Sequence, residues 1–199
     1  MPSFIIKTHQ PKTSYKGNQI FILNKGMNSG KPQKEPFTNS FVINFANPED
    51  ADATLIKNLQ WAAAEAAKAG RDVLIEPINT RSVPGFHLNR QDHAHRIVQA
   101  VGASNVKVQM DLFHCQIVEG DLSAKVAQYL PTGQVGHFQI AEVPNRHEPG
   151  TGEVNWTHIF QTIDKVSAEC GWDGWIGCEY KPAATTEAGL GWAASYLKS

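Results

Sequence analysis

The feature that most limits what this chain can fold into is a repeated change of hydrophobic period. Leu55, Leu59, Ala62, Ala66 and Ala69 recur at helical spacing, and past Gly70 the pattern gives way to the unbroken apolar run Val73-Leu74-Ile75. The change happens three more times. A helical pattern through Ala94, Ile97, Val98 and Val101 ends near Gly102 and precedes Val106–Asp111. A helix from Asp121 to Leu130, stopped by Pro131, precedes Val135–Ala141. A helix carrying Ile159, Ile163, Val166 and Cys170, closed by Gly171, precedes Trp175–Tyr180. Apolar residues every three or four positions bury one face of a helix, whereas a short apolar run between turn residues is a strand covered on both faces. The expected strands are therefore 73–78, 106–111, 135–141 and 175–180, with helix starts capped by Asp52 or Thr54, Asn89, Asp121, Asn155, and Thr185 or Thr186. A last helix carries Leu190, Ala193 and Leu197. Strict alternation calls for parallel strands joined by right-handed crossovers. The expected class is α/β, with about four βα units: half of a (β/α)8 TIM-type barrel, or most of a small open sheet.

Each expected strand ends on or near a side chain with a hard oxygen donor: Glu76, Asp111, Gln139 and Glu179, separated by 35, 28 and 40 residues, about one βα unit each time. Aligned parallel strands bring their C-terminal ends to one face, so the four are expected to converge there. One strand-end acid is commonly a residue turning into water. Three carboxylates together repel one another, and a divalent cation gives them a physical reason to gather. An all-oxygen set suits Mg2+ or Mn2+ better than zinc. His114 follows Asp111 by three residues on the same rim, and Arg146, His147 and Glu148 lie in a Gly/Pro-rich loop after the third strand. The planar guanidinium of arginine suits a substrate carboxylate. For Arg146 and His147 a solvated loop competes evenly with substrate binding, and for Glu148 the solvated loop with a local ion pair is preferred. His137 lies on the face of Gln139, one layer deeper. His93, His95 and His158 are expected on helices as surface or packing residues. Trp172, Trp175 and Trp192 are expected as packing mass.

A net charge of −1 gives no electrostatic case for nucleic acid or an anionic membrane. No apolar run approaches the roughly 20 residues of a membrane span. Met1 to Lys16 lacks a signal-peptide apolar core, and Cys115, Cys170 and Cys178 lack CxxC spacing. A cytoplasmic location with reduced thiols is the expectation. Residues 1–50 read as an atypical segment ahead of 51–199. They hold six lysines, no arginine and three acids, with strand candidates at Phe4–Ile6, Ile20–Leu23 and Phe41–Phe45, and a loop-like stretch from Asn24 to Asn39.

The strings VLIEPINTRSVPGFHL, VQMDLFHCQIVEGDL, GHFQIAEVPNRHEPGTGEVNW and GWDGWIGCEYKP closely resemble the hydroxypyruvate isomerase family of xylose isomerase-like barrels, over about Asp52 to Ser199. The resemblance covers the C-terminal half only. It implies that Glu76 and Glu179 form the acid/base pair. It also implies that Glu76, Asp111, Gln139 and Glu179 hold Mg2+ or Mn2+; His114, Arg146 and His147, from their places on the rim and in its loops, are expected to contact a small 2-oxo or hydroxy acid. The implied reaction interconverts hydroxypyruvate and tartronate semialdehyde through a metal-stabilised enediolate, a step of glyoxylate and carbohydrate metabolism. A 2-oxo-tetronate or other sugar-acid isomerase or epimerase is the alternative. A reading of another class is an inactive, truncated metal-binding or interaction remnant. Half a barrel exposes sheet edges, so association of like chains through those edges is a further expectation.

Overall fold

The computed structural model describes residues 4–6 and 48–196. The strand candidates at 20–23 and 41–45, the loop expected at 24–39, and most of the segment 1–50 lie outside them. The elements are β1 (Phe4–Ile6), α1 (Pro48–Ala67), β2 (Val73–Ile75), α2 (Gln91–Val101), β3 (Val106–Asp111), α3 (Leu112–Val118), α4 (Leu122–Tyr129), β4 (Val135–Ile140), α5 (Trp156–Cys170) and β5 (Ile176–Cys178). A single-turn 3-10 segment, Leu130–Thr132, lies between α4 and β4, and a longer one, Ala188–Ser195, stands where the last helix is expected, Leu197 lying outside the described residues. The four strands read from the sequence are β2 to β5, and they form the parallel α/β sheet of a partial barrel. The chain divides into two compact units: Gly17–Val108, and Gln109–Ser199 together with Met1–Lys16. The boundary falls inside β3.

In the unit 17–108, β2 pairs in parallel with the first half of β3, Val73 opposite Val106 and Ile75 opposite Val108. The Ala-rich face of α1 (Leu59, Ala62, Ala63) and one face of α2 (Ala94, Ile97, Val98, Val101) close over Val73, Ile75 and Val108 in one apolar cluster. Each fully buried aliphatic side chain here contributes about 1.5–3 kcal/mol of transfer free energy. Gly102 ends α2 in the left-handed conformation at φ 72°, its N–H donating to Val98 O.

In the other unit the strand order is β1-β5-β4-β3, with β1 antiparallel to β5 and β4 parallel to it. Alternation along a strand sorts the side chains into two faces. Met110, Phe138, Ile140, Ile176 and Cys178 join the core with Ile159, Phe160 and Ile163 of α5. Gln109, Asp111, His137, Gln139, Gly177 and Glu179 fall on the opposite parity. Trp172 packs edge-on against Phe138 and donates its indole N–H to Val135 O at 2.9 Å.

Several boundaries differ from the sequence reading. Helix α1 begins at Pro48, four residues ahead of Asp52, so Asp52 lies within the helix and caps nothing. Proline is favoured in a first helical turn because the N–H it lacks has no partner there anyway. The residue before α2 is Arg90, with no side-chain cap, while Asn89 Nδ2 donates back to Phe86 O at 2.8 Å and His87 O at 3.3 Å. Strands β2 and β5 are shorter than expected, ending at Ile75 and Cys178. Asn155 does cap α5, its Oδ1 accepting the His158 N–H at 3.1 Å, and Gly171 closes it. His114, expected on a loop, lies instead in α3, whose N-cap is Asp111 itself.

Candidate active site

In the unit containing β3's second half, β4 and β5, the candidate residues sit just past or at the strand ends. Asp111 closes β3 and is fully buried. Its Oδ1 accepts the Phe113 N–H at 2.8 Å, which starts α3 and fixes the carboxylate. Glu179 follows β5, and its N–H donates to Ile140 O at 3.0 Å, which holds it level with the end of β4. Arg146 connects the two acids. Its Nη2 lies 2.5 Å from Glu179 Oε2 and 3.7 Å from Asp111 Oδ2, and its Nε donates to Glu179 O at 3.2 Å. The guanidinium also stacks 4.8 Å from the centre of the Phe113 ring. Arg146 has a positive φ of 59°, uncommon for a residue with a Cβ. Its backbone is pinned on both sides, its N–H donating to Glu142 O at 2.8 Å and its carbonyl accepting the Lys181 N–H at 2.7 Å.

These charges determine how the neighbours titrate. Partial burial pushes the Glu179 carboxyl up, and the negative charge of Asp111 adds to that, while Arg146 opposes it; the net shift is upward. The side chain keeps 43% of its surface open, so solvent tempers the shift. His114 Nε2 stands 3.6 Å from Asp111 Oδ2. That is no ion pair: burial, reinforced by Arg146, pushes the imidazole down to about 3 and keeps it neutral. His137, 3% exposed, is pushed down to about 4 by burial alone.

Gln139 projects from β4 on the same parity as His137, and its Oε1 accepts from Gln109 Nε2 at 2.5 Å across the β3–β4 pair. A Cβ at Gly177, the β5 residue opposite Gln139, would come within 2.8 Å of His137 Nε2, so any side chain here would have to push the buried His137 ring aside. His147 places Nδ1 2.7 Å from Lys181 O, a contact with backbone. Glu76 follows β2 in the other unit and is half-buried. The structure thus gathers Asp111, His114, Arg146 and Glu179 around one guanidinium, and puts Gln139 on an adjoining strand. It turns the Arg146 guanidinium toward the acids.

Two acids were misread or overlooked in the sequence. Glu148 is 6% exposed, and both its oxygens accept the Ala183 N–H, at 3.0 and 3.2 Å, so it is a buried tie rather than a solvated loop residue. Glu142 is 1% exposed and accepts four hydrogen bonds: Val143 and Val154 N–H on Oε1, Gly150 N–H and Trp156 Nε1–H on Oε2, all between 2.7 and 3.1 Å. It organises the loop that carries Arg146. The loop closes so tightly that a Cβ at Gly152 would meet Val143 O at 2.1 Å. An acid two residues past a strand, ahead of a Gly/Pro-rich loop, was the available signal.

A model of the xylose isomerase-like TIM barrel matches residues 35–198, and the chain belongs to that family. A model of a family of unknown function matches residues 6–60. A 2-oxo-tetronate isomerase of Cupriavidus necator is 53% identical over 155 residues, 75% of this chain and 57% of that protein. A hydroxypyruvate isomerase of Escherichia coli is 44% identical over 148 residues, 74% of this chain and 55% of that protein. Among solved structures, one described as an AP endonuclease of family 2 from Brucella melitensis superposes with a TM-score of 0.70 at 41% identity, covering 76% of this chain and 57% of that one. The chain spans little more than half the length of the relatives it matches. Among the described residues no helix is long and apolar enough to cross a membrane.

Proposed function

We propose that this chain carries the acid/base half of an intramolecular aldose–ketose isomerase acting on a short 2-oxo or hydroxy acid. The observation that supports it best is Glu179: a carboxyl at a strand end, beside a second carboxylate, held above its ordinary value and gripped by an arginine. A carboxyl shifted upward toward working pH is suited to taking a proton from carbon and returning it. Glu179 and Glu76 would be the two proton-moving groups, one for each of two neighbouring carbons. His114, kept neutral, can donate a hydrogen bond without adding charge, and Arg146 adds positive charge where negative charge collects.

The donor chemistry fits the divalent cation that the family resemblance implies. Asp111 and Glu179 offer hard oxygens, and the Arg146 guanidinium already lies between them as a cation would. Asp111, Gln139 and Glu179, with Glu76, would hold Mg2+ or Mn2+. When bound, the ion would supply a Lewis acid for the substrate's oxygens.

Hydroxypyruvate, giving tartronate semialdehyde, is the first reading of the substrate. The second, 2-oxo-tetronate, is favoured by the 53% identity to a relative of that name. Rates on both compounds, with added Mg2+ or Mn2+, test the assignment. Metal-dependent turnover of either supports the isomerase, and the faster substrate decides between the readings. No turnover of either would overturn it.

A further inference from the structure

The unit 17–108 holds a cluster that the reaction above does not use. Asp52 lies in α1, His87 in the loop after β2, and His93 in the first turn of α2. The Nε2 atoms of His87 and His93 stand 2.6 and 2.7 Å from the same oxygen, Asp52 Oδ1. The two rings meet edge to face, their centres 5.1 Å apart at 85°. The residues are 35 and 41 positions from Asp52, so the packing of α1 and α2 creates the cluster, not local sequence. One ligand atom from each of the three lies within 4.8 Å of the other two. The side chains of Asp52, His87 and His93 keep 37%, 23% and 16% of their surfaces open, which gives an ion a way in.

We infer that Asp52, His87 and His93 form a site for a transition cation of the zinc class. Two imidazole nitrogens and one carboxylate oxygen are the donors such ions prefer, and three protein ligands leave one tetrahedral position for water or a further ligand. The all-oxygen preference of Mg2+ makes it a poor occupant. In the metal-free chain each Nε2–H donates to Asp52. On binding, each imidazole coordinates through Nε2 after its ring proton has passed to Nδ1 by exchange with water, and nitrogen–oxygen separations open to roughly 3.3 Å, the edge of a tetrahedron with bonds near 2.0–2.1 Å. The carboxylate is ready for this. Burial acts to raise it, but the hydrogen bonds and charge of the two histidines outweigh burial and hold it below its ordinary value.

The test is calorimetric titration of the full chain with Zn2+ in excess Mg2+. The expected result is a Zn2+ equivalent that survives in Asp111→Asn/Glu179→Gln but binds at least about 100-fold more weakly in His87→Asn/His93→Asn, beyond the loss of a mere supporting contact. Equal binding by the histidine variant and the parent chain would overturn the site. Should that variant fail to fold, the imidazole nitrogen resonances of the unmodified chain decide. Zn2+ is expected to shift Nε2 of both His87 and His93, and resonances unmoved by saturating Zn2+ would reduce the cluster to a hydrogen-bonded strut between α1 and α2.

Discussion

Glu179 and Asp52 are carboxylates of nearly equal exposure, with 43% and 37% of their side-chain surface open, and each is held by nitrogen donors at 2.5–2.7 Å. Their carboxyls nonetheless move in opposite directions, Glu179 upward and Asp52 downward. Burial pushes both up. At Glu179 burial is the largest cause, the negative charge of Asp111 adds to it, and the shared guanidinium does not outweigh the two, whereas at Asp52 the two imidazoles outweigh a weaker burial. The first arrangement makes a group that can take up a proton, the second a group that stays ionised and offers an electron pair. Two clusters in one small chain are thereby suited to different chemistry by the company a carboxylate keeps.

The largest effect is expected where proton transfer is lost. Glu179→Gln keeps the shape but cannot accept a proton, and turnover should fall at least about 100-fold, with circular dichroism unchanged. Near-normal turnover would remove Glu179 from the acid/base pair and dissolve the contrast with Asp52.

Acid should weaken the fold through His137. Its folded value of about 4 lies below the ordinary 6.5, so between those values the unfolded chain takes up a proton that the folded chain refuses. Stability therefore falls as pH drops from 6.5 toward 4, by about 3 kcal/mol when the interval is crossed. Urea midpoints near pH 7 and near pH 4.5 should lie closer together in His137→Gln than in the parent chain, the remaining gap coming from His114, which burial holds down at about 3; an unchanged gap would assign the acid loss to other groups.

Glu142→Ala leaves four N–H donors without their acceptor, two of them buried, and should cost about 2–3 kcal/mol, together with a loss of turnover as the Arg146 loop relaxes. A variant as stable as the parent would mean that the loop finds other acceptors. Asp52→Ala, at a partly open pair, should cost less than about 1 kcal/mol in metal-free buffer. A larger loss in the same urea titration would make the cluster chiefly a structural tie.

What the sequence disclosed followed from local physics. The change of hydrophobic period located β2 to β5, and Asn155, Gly102, Gly171 and Pro131 marked helix ends because their backbone preferences act wherever they stand. Helix α3 escaped because Asp111 looked like a ligand alone, although the same carboxylate caps the helix through the Phe113 N–H. Asp52 was read as a cap, whereas Pro48 with Glu49 and Asp50 carried the true start of α1. Its partners lie 35 and 41 residues away, and only packing brings them together. Glu142 and Glu148 were hidden for the same reason: a carboxylate serving distant N–H groups looks in sequence like any surface acid.

The most direct test of the account is to run the isomerisation in deuterated water and observe the product by proton NMR. Proton transfer through a carboxyl that exchanges with solvent predicts deuterium at the newly protonated carbon, and loss of both label and turnover in Glu179→Gln. A product formed at full rate without solvent deuterium would mean that hydrogen passes directly between the carbons, and would contradict the role assigned to Glu179.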